Sequence, residues 1–235
     1  MALTNKVAVL IGATGQLGAA IAKAFVHKGA KLVLVGTQKD GLDALQKELG
    51  FPDTRILLHV ADAMSDAAMQ ALALAVQEKF KRADILLHIA GGYRGGALAD
   101  TPNEVWDFML NLNLRTAVNS IRAFLPLLTA HEWGRILTIS SGITQAPPPN
   151  VAAYVTAKAA LETMTLAVAQ EVKEKGVTAN VVLIRALDTP AERAKQPDKN
   201  TGWVKPEDVA ATLLFLCSDE AGAITGARIP VFGGN

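Results

Sequence analysis

The 235-residue chain has a single cysteine, Cys217, so it cannot close an internal disulfide, and a secreted disulfide-stapled scaffold is excluded. It also lacks charge of one dominant sign: 23 Lys and Arg face 22 Asp and Glu, leaving a formal net charge of +1. No basic run stands out, which argues against a nucleic-acid groove or a polybasic membrane patch. No apolar run approaches the ~20 residues that a membrane-spanning helix needs. The opening MALTNKVAVLIG has no charged stretch ahead of a long apolar one, unlike a signal peptide. His27, His59, His88 and His131 show no spacing suited to zinc, so no metal is expected. Internal repeats, low-complexity tracts and Ser- or Gly-rich linkers are missing too. Against these absences, 50% of the residues are hydrophobic, enough for a sizeable core, and this excludes intrinsic disorder. The expectation is a soluble, cytoplasmic protein folded as one domain over residues 1–235.

Short apolar runs alternate with longer amphipathic segments. Residues 7–11, 32–35, 56–60, 85–89, 136–139 and 177–184 read as strands buried on both faces, as a helix-covered parallel sheet requires. Helical stretches lie at about 16–28, 40–49, 65–80, 103–130, 152–175 and 206–217. Leu17, Ile21, Ala24 and Phe25 form an apolar stripe on the first, and Val209, Leu213 and Leu216 do so on the last. The alternation predicts an α/β fold: a Rossmann-type, doubly wound parallel sheet of about seven strands with helices on both faces. Two irregular stretches, 91–102 and 188–206, leave the carboxyl ends of strands, where such sheets bind ligands.

The first strand runs into IGATGQLGAAIAKAF, which spaces Gly12, Gly15 and Gly18 as GxxGxxG between a strand and a helix. That context aims backbone N–H groups of Thr14, Gln16 and Leu17 and a helix N-terminus at a pyrophosphate. A tight turn without a ligand is the alternative. At the end of the second strand, an acidic residue would bond the adenosine ribose and repel a 2′-phosphate. Here Gly36 stands in its place and Thr37, Gln38 and Lys39 follow, so the reading leans to NADP over NAD. Lys39 is either a phosphate contact or a solvated surface charge. Asp40 reads as the cap of the next helix.

Tyr154 and Lys158 stand four apart on a predicted helix and so share one face, and Ser140 and Ser141 end a strand shortly before them. With only two tyrosines in the chain, a chance Tyr-x-x-x-Lys match is uncommon. An ammonium beside a phenol lowers its pKa, so the phenol can pass a proton to or from a carbonyl oxygen that a serine hydroxyl holds.

With these motifs the sequence resembles the short-chain dehydrogenase/reductase family in its short single-domain form, nearly end to end from Lys6 to Gly234. The glycine turn resembles Gly12 to Gly18. Asp62, with Ala63, matches the family's adenine-contacting acid, and His88-Ile89-Ala90-Gly91, followed by Gly92, matches its Asn-x-Ala-Gly stretch. Trp106, Asn113 and Pro126 meet the family's spacing and favour Asn113 over Asn111, and the spacing to Tyr154 selects Ser141 over Ser140. The resemblance implies an NAD(P)-dependent oxidoreductase acting on a small carbonyl or alcohol, assembled as a homotetramer or homodimer. It implies that Tyr154 handles the proton, that Lys158 lowers its pKa and binds the nicotinamide ribose, and that Ser141 positions the substrate oxygen. It further implies that Asn113 holds a water linking Lys158 to solvent, and that Thr189 and the backbone near Leu187 hold the carboxamide.

Several positions depart from the family pattern. Ile11 replaces a threonine and Gln16 a glycine, His88 replaces the first asparagine of its stretch, and Ile184-Arg185 stands where Pro-Gly is common. His88 puts a strand-to-strand hydrogen bond in question. The segments AGGYRGG and DTPAERAKQPDKNTGWVKPED are locally similar to dihydropteridine reductase, without assigning a pterin substrate. Tyr93, Arg94, Ile143, Arg185 and Trp203 are candidate substrate contacts. Arg94 suits an acidic group or a solvated loop tip, and Arg185 either touches substrate or cofactor or pairs with a carboxylate such as Glu192. Trp203 covers the pocket or packs on the last helix, and Cys217 faces the core. The alternatives to a carbonyl reductase are a 3-oxoacyl thioester reductase and a catalytically weak dinucleotide-binding scaffold or sensor.

Overall fold

A computed structural model describes residues 2–195, 197–198 and 202–233. Gln196 and residues 199–201 of the second long loop, and Gly234 of the terminal motif, lie outside the described residues. The strands are β1 (Val7–Ile11), β2 (Lys31–Gly36), β3 (Ile56–Val60), β4 (Ile85–His88), β5 (Gly134–Ser141), β6 (Val177–Ile184) and β7 (Arg228–Val231). They form one sheet in the order β3-β2-β1-β4-β5-β6-β7, and every pairing is parallel. The order reverses between β1 and β4, which opens a crevice at the carboxyl ends of these strands.

Residues alternate across the sheet. Ala8, Leu10, Leu32 and Leu34 pack with α1 (Gln16–His27), α2 (Lys39–Leu49) and α8 (Pro206–Leu216). Val9, Ile11, Val33 and Leu86 pack on the opposite face with α3 (Asp66–Phe80), α5 (Thr116–Leu128) and α6 (Ala152–Val172). Two layers of helix thus bury the inner strands on both faces, as their continuous apolar runs predict. The edge strand β3 departs from that expectation: only Ile56 is buried and Val60 is exposed, because β3 has a neighbour on one side alone.

Other boundaries moved for identifiable reasons. The predicted helix 103–130 is divided into α4 (Asn103–Leu110), a π-turn (Asn111–Arg115) and α5. The Asn113 amide competes for the helix carbonyl of Met109 and inserts the extra residue. α6 stops at Val172 because Gly176, at φ 69, ends the chain's helical course after one tighter turn. A short helix, α7 (Pro190–Lys195), occupies part of the stretch expected to be irregular. Asp40 is no cap: α2 starts at Lys39 with Gln38 at the cap position, and Asp40 sits in the first turn, where its charge favours the helix dipole. At the base of the sheet, buried Asp84 accepts from the Val7 N–H (2.8 Å) and pairs with Arg82, joining β1 to β4.

Candidate active site

The crevice is a cleft of about 930 Å³ that runs from the glycine turn across the sheet to the loop after β6. At one end, Gly12 adopts φ +94, and a Cβ there would lie 2.8 Å from Ala90 N. A Cβ on Gly18 would lie 2.5 Å from the carbonyl oxygens of Gly12 and Ala13. Both glycines let main chain approach main chain, whereas a Cβ on Gly15 would meet only Gly12 O, at 4.0 Å. α1 begins with no side-chain cap and no acidic residue in its first turn, so its free N–H groups and dipole remain for an anion. The residues present therefore fit a dinucleotide pyrophosphate.

Thr14, Gln16, Leu17, Thr37, Asp62, Ala63, Ala90, Gly91, Gly92 and Leu187 all line this cleft. Gln38 and Lys39 do not; both are exposed, and Lys39 pairs with Asp43 one turn along α2. Gly36 also has a structural reason, since a Cβ there would come 3.0 Å from the Thr14 methyl. Asp62 Oδ1 accepts from the Met64 N–H (2.9 Å), and Asn119 Nδ2 donates to the carbonyls of Ala63 and Met64, both at 3.0 Å. Asn119 carried no sequence signal, because its partners lie more than fifty positions away. Thr189 is buried beside the cleft rather than in its lining, and its Oγ1 accepts from the Glu192 N–H.

The structure brings Ser141, Tyr154 and Lys158 together. Ser141 and Tyr154 both line the cleft with Ile143, and the Ser141 hydroxyl acts on the Tyr154 phenol. Alternation along β5 turns Ser140 the other way, where its Oγ donates to Glu162 Oε1 (2.7 Å). Lys158 is buried; its Nζ donates to Ile139 O (3.0 Å) and lies 2.9 Å from where a Gly91 Cβ would stand. Burial pulls the Lys158 ammonium down to about 8, against the opposing charge of Glu162.

Burial raises the Tyr154 phenol above its ordinary value, and the Ser141 hydroxyl lowers it in part.

Asn113 lies in the π-turn between α4 and α5. It is fully buried, and its Nδ2 donates to Gly92 O (3.0 Å) and Met109 O (3.1 Å) while its Oδ1 accepts from Gly92 N–H (3.1 Å). The side chain pins the loop after β4 to the π-turn.

His88 replaces a strand-to-strand bond with one from strand to helix: its Nε2 lies 3.1 Å from Thr116 Oγ1. That hydroxyl donates to Leu112 O (2.7 Å), so the imidazole carries its proton on Nε2 and donates it. His88 Nδ1 has no partner, and burial together with the Lys158 charge pushes this imidazole down to about 3.

Glu162 escaped the sequence reading, although it stands four residues beyond Lys158 on the same helix. It is buried, and it also accepts from Arg228 Nε of β7 (2.7 Å). Among the substrate candidates, the Tyr93 ring meets Tyr154 edge-on at 5.1 Å, and Arg94 stacks over Phe108 at 3.9 Å. Arg185 stacks on Phe232 and does not pair with Glu192, which binds Lys195. Trp203 is buried, with Arg193 over its ring at 5.3 Å. Cys217 is buried as expected.

A doubly wound sheet with an anion cradle at its switch point and a Ser-Tyr-Lys group beside it defines a nucleotide-dependent oxidoreductase. The family model described as enoyl-(acyl carrier protein) reductase matches residues 12–235. D-beta-hydroxybutyrate dehydrogenase of Rhizobium meliloti is 31% identical over 98% of this chain and 98% of its own length. The 3-oxoacyl-(acyl-carrier-protein) reductase FabG of Escherichia coli is 30% identical over 100% and 98%. The NADPH-bound structure of a short chain oxidoreductase from Pseudomonas aeruginosa, described as having an atypical catalytic center, superposes with a TM-score of 0.90. It shares 27% identity and covers 99% of this chain and 97% of that one. The chain belongs to the short-chain dehydrogenase/reductase family, NAD(P)-dependent oxidoreductases acting on CH–OH and C=O groups. No helix among the described residues is long and apolar enough to cross a membrane, and no cluster among them could hold a metal.

Proposed function

We propose that this chain interconverts a carbonyl and a secondary alcohol with Tyr154 as the proton donor and acceptor, and that it prefers NADP(H). The carrying observation is that Ser141, Tyr154 and buried Lys158 line one cleft, with Tyr154 one helical turn from Lys158. When bound, the nicotinamide supplies or accepts the hydride. Burial keeps Tyr154 a protonated phenol at neutral pH, which suits it to give a proton to a carbonyl oxygen. Ser141 Oγ holds that oxygen against the phenol. Lys158 holds positive charge at the cleft floor and offers donors to a ribose, while Asn113 fixes the Gly91–Gly92 wall. The missing carboxylate at Gly36 and the Thr37 hydroxyl in the cleft support NADP(H). Lys39 lies outside the cleft lining, exposed and paired with Asp43.

A 3-oxoacyl thioester is the second substrate reading, favoured by the 3-oxoacyl reductase among the relatives. The homo-oligomeric state and the cytoplasmic location are proposals of the same kind, tested by sedimentation and by cell fractionation. Tyr154→Phe should lower turnover about 10²–10⁴-fold while NADPH fluorescence titrations stay largely unchanged. Full turnover in that variant, over a panel of ketones, aldehydes and 3-oxoacyl thioesters, would sink the assignment.

A further inference from the structure

One cation in the cleft has no part in the chemistry above. Arg185 follows β6 directly, and the chain after it is fixed: Val204 N–H donates to Ala186 O (3.0 Å), and Asp188 N–H to Val204 O (2.7 Å). Its guanidinium carbon stands 4.6 Å from the centre of the Phe232 ring. Phe232 in turn lies against Gly142, where a Cβ would come 2.7 Å from the ring. Gly142 is the residue after Ser141, so only one aromatic ring separates the guanidinium from the strand end that carries Ser141.

The nearby carboxylates are already neutralised, Asp188 by Arg193 and Glu192 by Lys195. Among the described residues Arg185 has no acidic partner, and the cleft's other lining cation, Lys158, is buried at its floor. A guanidinium lying on a ring is held in place by its face and keeps its N–H edge free for an oxyanion. Its planar fork matches a carboxylate better than a lysine would.

We infer that Arg185 is an anion subsite for the substrate: it binds the carboxylate of an oxo acid whose carbonyl oxygen lies at Ser141 and Tyr154. This rests on the proposed carbonyl chemistry of the cleft. The glycine turn, with its unpaired N–H groups, serves the cofactor's pyrophosphate at the other end, which leaves Arg185 to the substrate.

Calorimetric titration with NADP+ present tests this, because without a hydride donor binding is read apart from turnover. Acetoacetate and 3-oxohexanoate are each compared with their methyl esters. The acids should bind about tenfold more tightly than the esters, and Arg185→Gln should erase that difference without altering ester or NADP+ affinity. Equal weakening of acid and ester, loss of NADP+ affinity, wild-type protein that binds ester as well as acid, or no measurable acid binding would each overturn the subsite. Failure of Tyr154→Phe to stop turnover would instead strike the reaction assignment and leave the acid–ester comparison readable.

Discussion

At the residue scale, the cleft turns on buried ionisable groups whose charge states follow from what surrounds them. Lys158 titrates near 8 because burial disfavours its charged form, and Glu162 supports that form. Glu162→Gln keeps an oxygen for Ser140 but removes the charge, so Lys158 should lose its proton at lower pH. The alkaline limb of kcat/KM should then move down by several tenths to about one pH unit. An unmoved limb would separate Glu162 from the ammonium.

His88 gives a second prediction. It is neutral in the fold down to about pH 3, whereas the unfolded imidazole binds a proton near its ordinary value. Between those values the unfolded state holds more protons, so stability falls as pH falls, by up to about 1.4 kcal/mol per unit from this group. His88→Asn should flatten the slope of denaturation midpoint against pH between about 6.5 and 4. Tyr154 and Lys158 were legible because their spacing is local, while Ser141 was chosen over Ser140 through the family resemblance. The Glu162–Arg228 pair was not, because it joins residues 66 positions apart.

At the element scale, the π-turn between α4 and α5 holds the loop after β4 in place. Asn113 satisfies three backbone groups, two of them on half-buried Gly92, and Asn113→Ala would remove all three bonds. The expected cost is about 2–3 kcal/mol, with faster hydrogen exchange at the Gly92 amide. A loss below about 0.5 kcal/mol would show that the loop holds itself. The helix was visible in sequence as one amphipathic stretch, but its interruption was not. Periodicity reports which face is apolar, while the inserted residue depends on an amide reaching Gly92, twenty-one positions away. A seventh strand was expected but its place, like α7, was hidden: β7 is a half-exposed edge with a proline inside, and α7 spans only Pro190–Lys195.

At the scale of the molecule, the cleft spans both halves of the sheet, from β1 and β2 to β5 and β6. A ligand that fills it binds the folded state alone and stabilises both halves together. NADPH at about a hundred times its Kd should therefore add about 2.7 kcal/mol to unfolding, seen as one cooperative rise in Tm. NADH at the same concentration should give less. A larger rise with NADH would reverse the cofactor preference drawn from Gly36 and Thr37.

The sequence by itself determined the alternation of buried strands and amphipathic helices, the glycine turn, and the shared helical face of Tyr154 and Lys158. Each depends on backbone periodicity and neighbours within a few residues, which a linear chain displays. Only the tertiary structure decided that Ser140 and Arg228 both meet Glu162, and that burial raises Tyr154. It also decided that Arg185 rests on Phe232 with its N–H edge unpaired by any described carboxylate. Burial, and the choice among several possible ionic partners, are set by segments that meet only when the sheet is assembled.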